Sequence, residues 1–214
     1  MSELLDSVIV HDLKNRLALL ADSLARLQPL TDTGEARELA ACSHAQALAL
    51  THRLSGLLLT QRLASGRRLP VHLQEESPLQ LLEELADDAR LLSGGRLQIE
   101  AQALEQAQQQ LPAAWVCDRH LLRLALDSAL YNALHYARSH IRLTVALDAD
   151  GMLVFSIADD GPGPEAAAPG EHSSGLGLQV CTAVAQAHRN RAREGQSRLS
   201  AGSGGGALYE LRIP

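Results

Sequence analysis

Ile141-Arg142-Leu143-Thr144-Val145-Ala146-Leu147, a turn at Asp148-Ala149-Asp150-Gly151, then Leu153-Val154-Phe155-Ser156-Ile157 running into Asp159-Asp160-Gly161-Pro162-Gly163: this stretch decides the fold. Apolar residues alternate at Ile141, Leu143, Val145 and Leu147 and again at Leu153, Phe155 and Ile157, the period-2 signature of two half-buried strands. Working outward, a helix is expected from Leu176 to about His188, then strands near Ser197–Ala201 and Ala207–Ile213. On the other side lie a helix from about Arg119 to Arg138 and short strands at Trp115–Cys117 and Leu97–Ala101. Further back comes a helix from Pro78 to Leu92. The Gln- and Ala-rich stretch Leu104–Leu111 reads as a solvated linker or loop. Residues 69–214 are therefore expected to form an α/β sandwich with helices on one face of a mixed sheet. No internal repeat is visible.

Residues 1–68 follow another pattern. Val10, Leu13, Leu17, Leu20, Leu24 and Leu27 alternate steps of three and four, the seam of a coiled coil. Pro29 and Thr31-Asp32-Thr33-Gly34 break this helix, and a second runs from about Glu35 to Ala64 with Ala40, Ala47, Leu50, Leu54 and Leu57 along one stripe. Ser65-Gly66 ends it. Two helices cannot bury two such stripes by pairing once, so the hairpin is expected to dimerise into a four-helix bundle. The fold class is thus α+β.

The whole chain has 214 residues, 46% hydrophobic and 21% charged, values that exclude a disordered protein. Aromatics are only 2%, so the core must be built from Leu, Ala, Val and Ile, which favours helix-rich packing. A net charge of −6 without a basic run argues against a nucleic-acid partner. Cys42, Cys117 and Cys181 are widely spaced and show no metal-ligand spacing, so they read as small buried hydrophobes in a reducing compartment. No stretch is long and apolar enough for a membrane span and no leader pattern opens the chain, so a cytoplasmic protein without membrane insertion is expected.

Four short stretches carry chemistry. In His11-Asp12-Leu13-Lys14-Asn15-Arg16-Leu17 the seam residues leave His11 facing solvent, with Asp12 and Asn15 flanking it around the helix surface. A neutral exposed imidazole is a competent nucleophile, and a neighbouring carboxylate can orient it or take its proton. In Asn132-Ala133-Leu134-His135-Tyr136-Ala137 an amide oxygen could ligate Mg²⁺. Asp159-x-Gly161-x-Gly163 sets a carboxylate at a strand end beside backbone that can be closely approached. In Ser173-Ser174-Gly175-Leu176-Gly177-Leu178, glycines at a helix N-terminus leave amides facing a space that favours phosphate. Taken singly, each is as well explained by a solvated face, an amphipathic helix or an ordinary turn.

Taken in order, they resemble the two-component sensor histidine kinases over almost the whole chain. The first is similar to that family's phosphoacceptor box. The other three resemble the N, G1 and G2 boxes of the ATP-binding domain shared with gyrase and Hsp90-type ATPases. Asp118 ahead of the Asn-bearing helix and the final Gly204-Gly205-Gly206…Leu211-Arg212-Ile213-Pro214 are also similar to that domain. The resemblance implies a bacterial, homodimeric, ATP-dependent protein histidine kinase. His11 would accept the γ-phosphoryl group, Asp12 would assist as acid or base, and the phosphoryl group would pass to an aspartate of a response-regulator receiver domain. Asn15 would position water for phosphatase action on that partner. ATP and Mg²⁺ are the implied cofactors: Asn132 would hold the metal, with His135 and Tyr136 beside it. Asp159 would accept from the adenine amino group, Gly161 and Gly163 would let the backbone close on the nucleotide, and Gly175, Leu176, Gly177 and Leu178 would form the phosphate end of the lid.

Several positions depart from the family pattern. Ser128 stands for the first Asn of the N box, His135 for its basic residue and Ser173 for the first glycine of G2. No phenylalanine lies between Gly163 and Ser173, so the lid is short. Only ten residues precede His11, and Met1 reads as the start of a complete chain lacking a sensor region. Input is then expected through a separate sensory protein, through oligomerisation, or not at all. Two other readings compete: a histidine phosphotransferase whose degenerate ATP-binding domain serves as a docking scaffold, and a regulatory binding protein that does not use His11. The retained Asp159 and glycines favour the kinase.

Overall fold

The computed structural model describes residues 69–104, 111–164, 176–202 and 204–214, together with individual positions between 17 and 61. The chain divides into two compact units, Met1–Arg67 and Arg68–Pro214. In the first, every described position is helical, with Ala40, Ala47 and Leu59 buried. Gly34, expected to end the break between helices, is itself helical, within the residue or two by which helix ends shift. The expected loop at Leu104–Leu111 falls outside the described residues over 105–110.

In the second unit the described elements run β1 (Gln74–Glu76), α1 (Pro78–Ser93), β2 (Gln98–Ala103), β3 (Trp115–Cys117), α2 (Arg119–Tyr136), β4 (His140–Leu147), β5 (Leu153–Asp159), α3 (Leu176–Ala187), β6 (Arg189–Asn190), β7 (Arg193–Glu194), β8 (Gln196–Ala201) and β9 (Ala207–Ile213). The strands β2-β4-β5-β9-β8 form one sheet, parallel between β2 and β4 and antiparallel elsewhere. β1–β3 and β6–β7 make two small antiparallel ladders. The β1 strand and the β6–β7 hairpin have no counterpart in the sequence reading: their residues are all polar and carry no apolar signal. α2 ends two residues before the expected Arg138, its last turn closed by the Ala137 N–H donating to the Ala133 carbonyl.

Local chemistry explains the helix starts. Ser77 caps α1 by accepting from the Gln80 N–H, with Pro78 in the first turn, and Gly94 stops the helix at φ 57°. The buried Asp118 caps α2, accepting from Leu121 N–H at 3.0 Å through Oδ1 and from His72 N–H at 2.7 Å through Oδ2. Its own N–H donates to His188 Nε2, which places that ring's proton on Nδ1, donated to the Val184 carbonyl. One residue thus ties β1's approach, α2 and the end of α3 together.

The three helices cover one face of the sheet: α1 packs on β2 and β4, α2 on β5 and β9, and α3 on β8 and β9. That face carries Ile141, Leu143 and Val145, Leu153, Phe155 and Ile157, and Leu211 and Ile213, all buried. Leu81, Leu82 and Leu85 of α1 and Leu122, Leu126 and Leu130 of α2 complete the core. Each such side chain contributes roughly 1.5–3 kcal/mol by leaving water. Arg119 of α2 bridges Glu76 and Glu84, and Arg123 reaches Asp88 at 2.6 Å and Asp127 at 2.9 Å, so ion pairs fix α2 against β1 and α1. No described helix is long and apolar enough to cross a membrane.

Candidate functional site

The site lies where the ends of β5 and α2 meet the start of α3. Asp159 is the last residue of β5, paired with Ile141. Its Oδ1 accepts from the Gly161 N–H at 2.8 Å and from the Ala207 N–H at 3.3 Å, which fixes the carboxylate plane. Among the described residues nothing donates to Oδ2. A carboxylate oxygen without an internal donor keeps its acceptor capacity.

The loop after Asp159 rests on α2. A Cβ on Gly161 would stand 2.5 Å from the Tyr136 carbonyl oxygen, and one on Gly163 would stand 2.9 Å from the carbonyl oxygen of Gly206. Asp160 reaches the other way: its carboxylate accepts from the backbone N–H groups of Arg138 (2.8 Å), Ser139 (3.1 Å) and His140 (3.2 Å) and from the Ser139 hydroxyl (2.6 Å). These bonds hold the Asp160 carboxyl well below the usual carboxylate range, the Ser139 hydroxyl contributing most.

At the other end, a Cβ on Gly177 would stand 2.8 Å from Ser128 Oγ and 3.7 Å from Asn132 Nδ2, so the first turn of α3 lies directly against the Asn132-bearing face of α2. The Asn132 side chain is exposed and takes no hydrogen bond among the described residues. A single neutral amide oxygen is a poor cage for a bare divalent ion but suits Mg²⁺ that keeps most of its shell from waters and phosphates. His135 is exposed and meets Tyr136 edge-on, ring centroids 4.7 Å apart. Leu178 is 43% exposed on α3.

Gly177 is thus set against Asn132, and Gly161 with Asp159 against the Tyr136 carbonyl one turn further along α2, with Gly163 joined through Gly206. His135 joins through Tyr136 only. Leu176 opens α3, and Gly175 and Ser173 lie outside the described residues, as do His11, Asp12 and Asn15. Sequence reasoning placed Gly206 and Ala207 in a similar closing segment but gave them no part in the site. The Gly204-Gly205-Gly206 run marks a tight turn, and Gly206 enters because it crosses behind Asp159, a long-range contact that no local pattern shows. Elsewhere on α2 burial pushes the Asp127 carboxyl up to about 7 against the pull of Arg123, and on α3 it pushes the Cys181 thiol up to about 11.

A carboxylate at a strand end, an amide-bearing helix and a glycine-led helix start are the features that the comparisons with known proteins bear on. Residues 117–214 match the family described as histidine kinase-, DNA gyrase B-, and HSP90-like ATPase. Among solved structures, the chain is similar to full-length ShkA in complex with AMPPNP at 21% identity and a TM-score of 0.60, covering 97% of this chain and 44% of that one. It therefore spans less than half of ShkA. The histidine kinase AdeS of Acinetobacter baumannii is similar at 16% identity and a TM-score of 0.55, with 92% of this chain and 94% of AdeS covered. The cytoplasmic segment of the histidine kinase QseC is similar at 17% identity and a TM-score of 0.53, covering 76% and 94%. At these identities the likeness is one of fold. No curated protein sequence matches the chain.

Proposed function

We propose that the chain is a cytoplasmic, homodimeric, ATP-dependent protein histidine kinase of a bacterial two-component system. In this reading residues 69–214 bind ATP and residues 1–68 carry the phosphoacceptor His11. The observation that carries it is the Asp159 carboxylate, held through one oxygen by the Gly161 and Ala207 amides, with no donor on the other among the described residues, in a loop that rests on the end of the Asn132-bearing helix. A docking scaffold has no use for that arrangement. The adenine amino group would donate to Oδ2, and the triphosphate would run toward Asn132 and the start of α3. Asn132 would hold Mg²⁺ through its amide oxygen, and the ion supplies charge neutralisation on the phosphates when bound.

The neighbouring Asp12 would take the imidazole proton while His11 attacks, and Asn15 would orient water when the partner's phosphoaspartate is hydrolysed. His135, Tyr136, Gly163, Gly175, Leu176 and Leu178 would line or close the nucleotide subsite. Support for dimerisation comes from the seam and stripe leucines: Leu20 is 51% and Leu50 47% exposed on a single chain, apolar surface that a second copy would cover. A response-regulator receiver domain would take the phosphoryl group, and a separate sensory protein would supply input.

Incubation with γ-labelled ATP and Mg²⁺ tests this reading. Acid-labile label is expected on the wild type and none on His11→Gln, with dimer and nucleotide affinity unchanged. Label at another residue sinks the assignment of His11. Label from a phosphorylated receiver but never from ATP makes the chain a phosphotransferase, and label from neither donor leaves a regulatory binding protein.

A further inference from the structure

We propose that Asp160 is a positioning residue for nucleotide recognition, a clamp that joins the loop carrying Asp159 to the C-terminal end of the helix carrying Asn132. The proposal rests on the reading of Asp159 as the adenine acceptor. Three consecutive backbone N–H groups, of Arg138, Ser139 and His140, converge on the Asp160 carboxylate with the Ser139 hydroxyl at 2.6 Å. Successive amides curled around one anion form a strong binding concavity, and here a side chain from 20 residues further along the chain fills it.

The consequence lies in where the two partners stand. Arg138 and Ser139 lie in the connection from α2 to β4, two and three residues after Tyr136, and His140 opens β4. Asp160 is the residue directly after Asp159, and Gly161 on its other side presses on the Tyr136 carbonyl. The Asp159–Gly161 loop is therefore seated on the end of α2 by a side-chain clamp and a backbone contact one residue apart. Asp159 and Asn132, at the base and phosphate ends of the bound nucleotide, then keep a fixed separation. Beyond its place in the β5 ladder opposite Ile141, Asp159 has its carboxylate oriented by the Gly161 and Ala207 amides, and Gly161 belongs to the loop that Asp160 anchors. The low pKa noted above keeps the clamp ionised through the neutral range.

Isothermal titration of the full chain with ADP, with thermal unfolding of the same samples, tests the proposal on the wild type, Asp160→Ala, Asp160→Asn, Asp159→Asn and the double variant Asp159→Asn/Asp160→Ala. Asp160→Ala is expected to weaken ADP about tenfold, the scale of one misaligned charge-assisted hydrogen bond. Asp160→Asn keeps one acceptor oxygen and should recover most of that loss. In the Asp159→Asn background, Asp160→Ala should cost no further affinity, because its effect passes through Asp159. Ser139→Ala, which removes only the hydroxyl bond, should fall between wild type and Asp160→Ala and serves if the latter does not fold. Wild-type affinity in Asp160→Ala or Ser139→Ala, whatever happens to the melting temperature, overturns the proposal. So does a full additional loss in the double variant. A folded wild type that binds no nucleotide overturns the reading of Asp159 along with this proposal.

Discussion

The turn Gly204-Gly205-Gly206 offers three neighbouring glycines whose replacement by alanine should have three different costs. At Gly204 a Cβ meets nothing within 4 Å and the backbone is not left-handed. Gly204→Ala should be neutral, or stabilise by about 0.4–1 kcal/mol through a stiffer unfolded chain. At Gly205 the space is also open but φ is +87°, so Gly205→Ala should cost roughly 1–2 kcal/mol for left-handed backbone. At Gly206 φ is +78°, and a Cβ would overlap the Asp159 carbonyl oxygen while standing 3.0 Å from the Asp160 Cα. These neighbours are backbone and cannot swing aside. Overpacking of about 1–3 kcal/mol adds to the conformational cost, giving about 2–5 kcal/mol for Gly206→Ala. Urea unfolding followed by fluorescence of Trp115, the sole tryptophan, reports the unit in question. ADP titration of the folded fraction should show weaker binding for Gly206→Ala alone, because the displaced segment is the one holding Asp159. Stabilities of the Gly206 and Gly204 variants within 0.5 kcal/mol of each other would refute the contact reasoning.

Asp159→Asn should weaken ADP by about 1–3 kcal/mol, since an amide in place of the carboxylate loses a charge-assisted acceptor; an unchanged calorimetric affinity would remove Asp159 from the site. Asp127, whose carboxyl is raised to about 7 by burial, binds its proton more tightly folded than unfolded. Its contribution to stability is therefore full below the unfolded pKa near 4 and is lost as pH rises through about 7, and Asp127→Asn should flatten that slope in urea midpoints read at pH 4.5 and 7.5. A variant that keeps the wild-type slope would place the titration elsewhere.

The sheet was legible because its strands carry their burial pattern in cis. Ile141 through Ile157 alternate cleanly, and β9 over Ala207–Ile213 falls on the expected residues. The helices expected from about Arg119 and from Pro78 start where the structure starts α2 and α1, capped by Asp118 and Ser77. What sequence could not show is contact at a distance. Asp160 looks like the second half of an acidic pair beside Asp159, yet the two carboxylates take different partners, one the Gly161 and Ala207 amides and the other the α2–β4 turn. His135 looked equivalent to its neighbours in the motif, but a residue's place on a helix face does not say whether a loop packs there. Of the three C-terminal stretches, the first lies in the last turns of α2, the second follows the end of β5 and the third runs into the start of α3.

The departure at Ser128 acquires a packing reason from the same geometry. The family pattern that the sequence resembles places an asparagine there, one turn before Asn132 on α2. In this chain the Ser128 hydroxyl already stands 2.8 Å from the position a Cβ would take on Gly177. Ser128→Asn puts a carboxamide in the space that the first turn of α3 occupies. Either that turn moves away, or the new amide turns outward beside Asn132. The close approach favours displacement, at a cost of roughly 1–3 kcal/mol for overpacking between two helices. Moving Gly177 also carries the α3 amides away from Asn132, so ATP affinity in the presence of Mg²⁺ should fall by a larger factor than ADP affinity without it. Equal loss with both ligands would mean the helix start contributes nothing at the phosphates. Unchanged stability with tighter Mg²⁺-dependent ATP binding would mean that serine here is simply a missing ligand, and that the short contact with Gly177 relaxes without consequence.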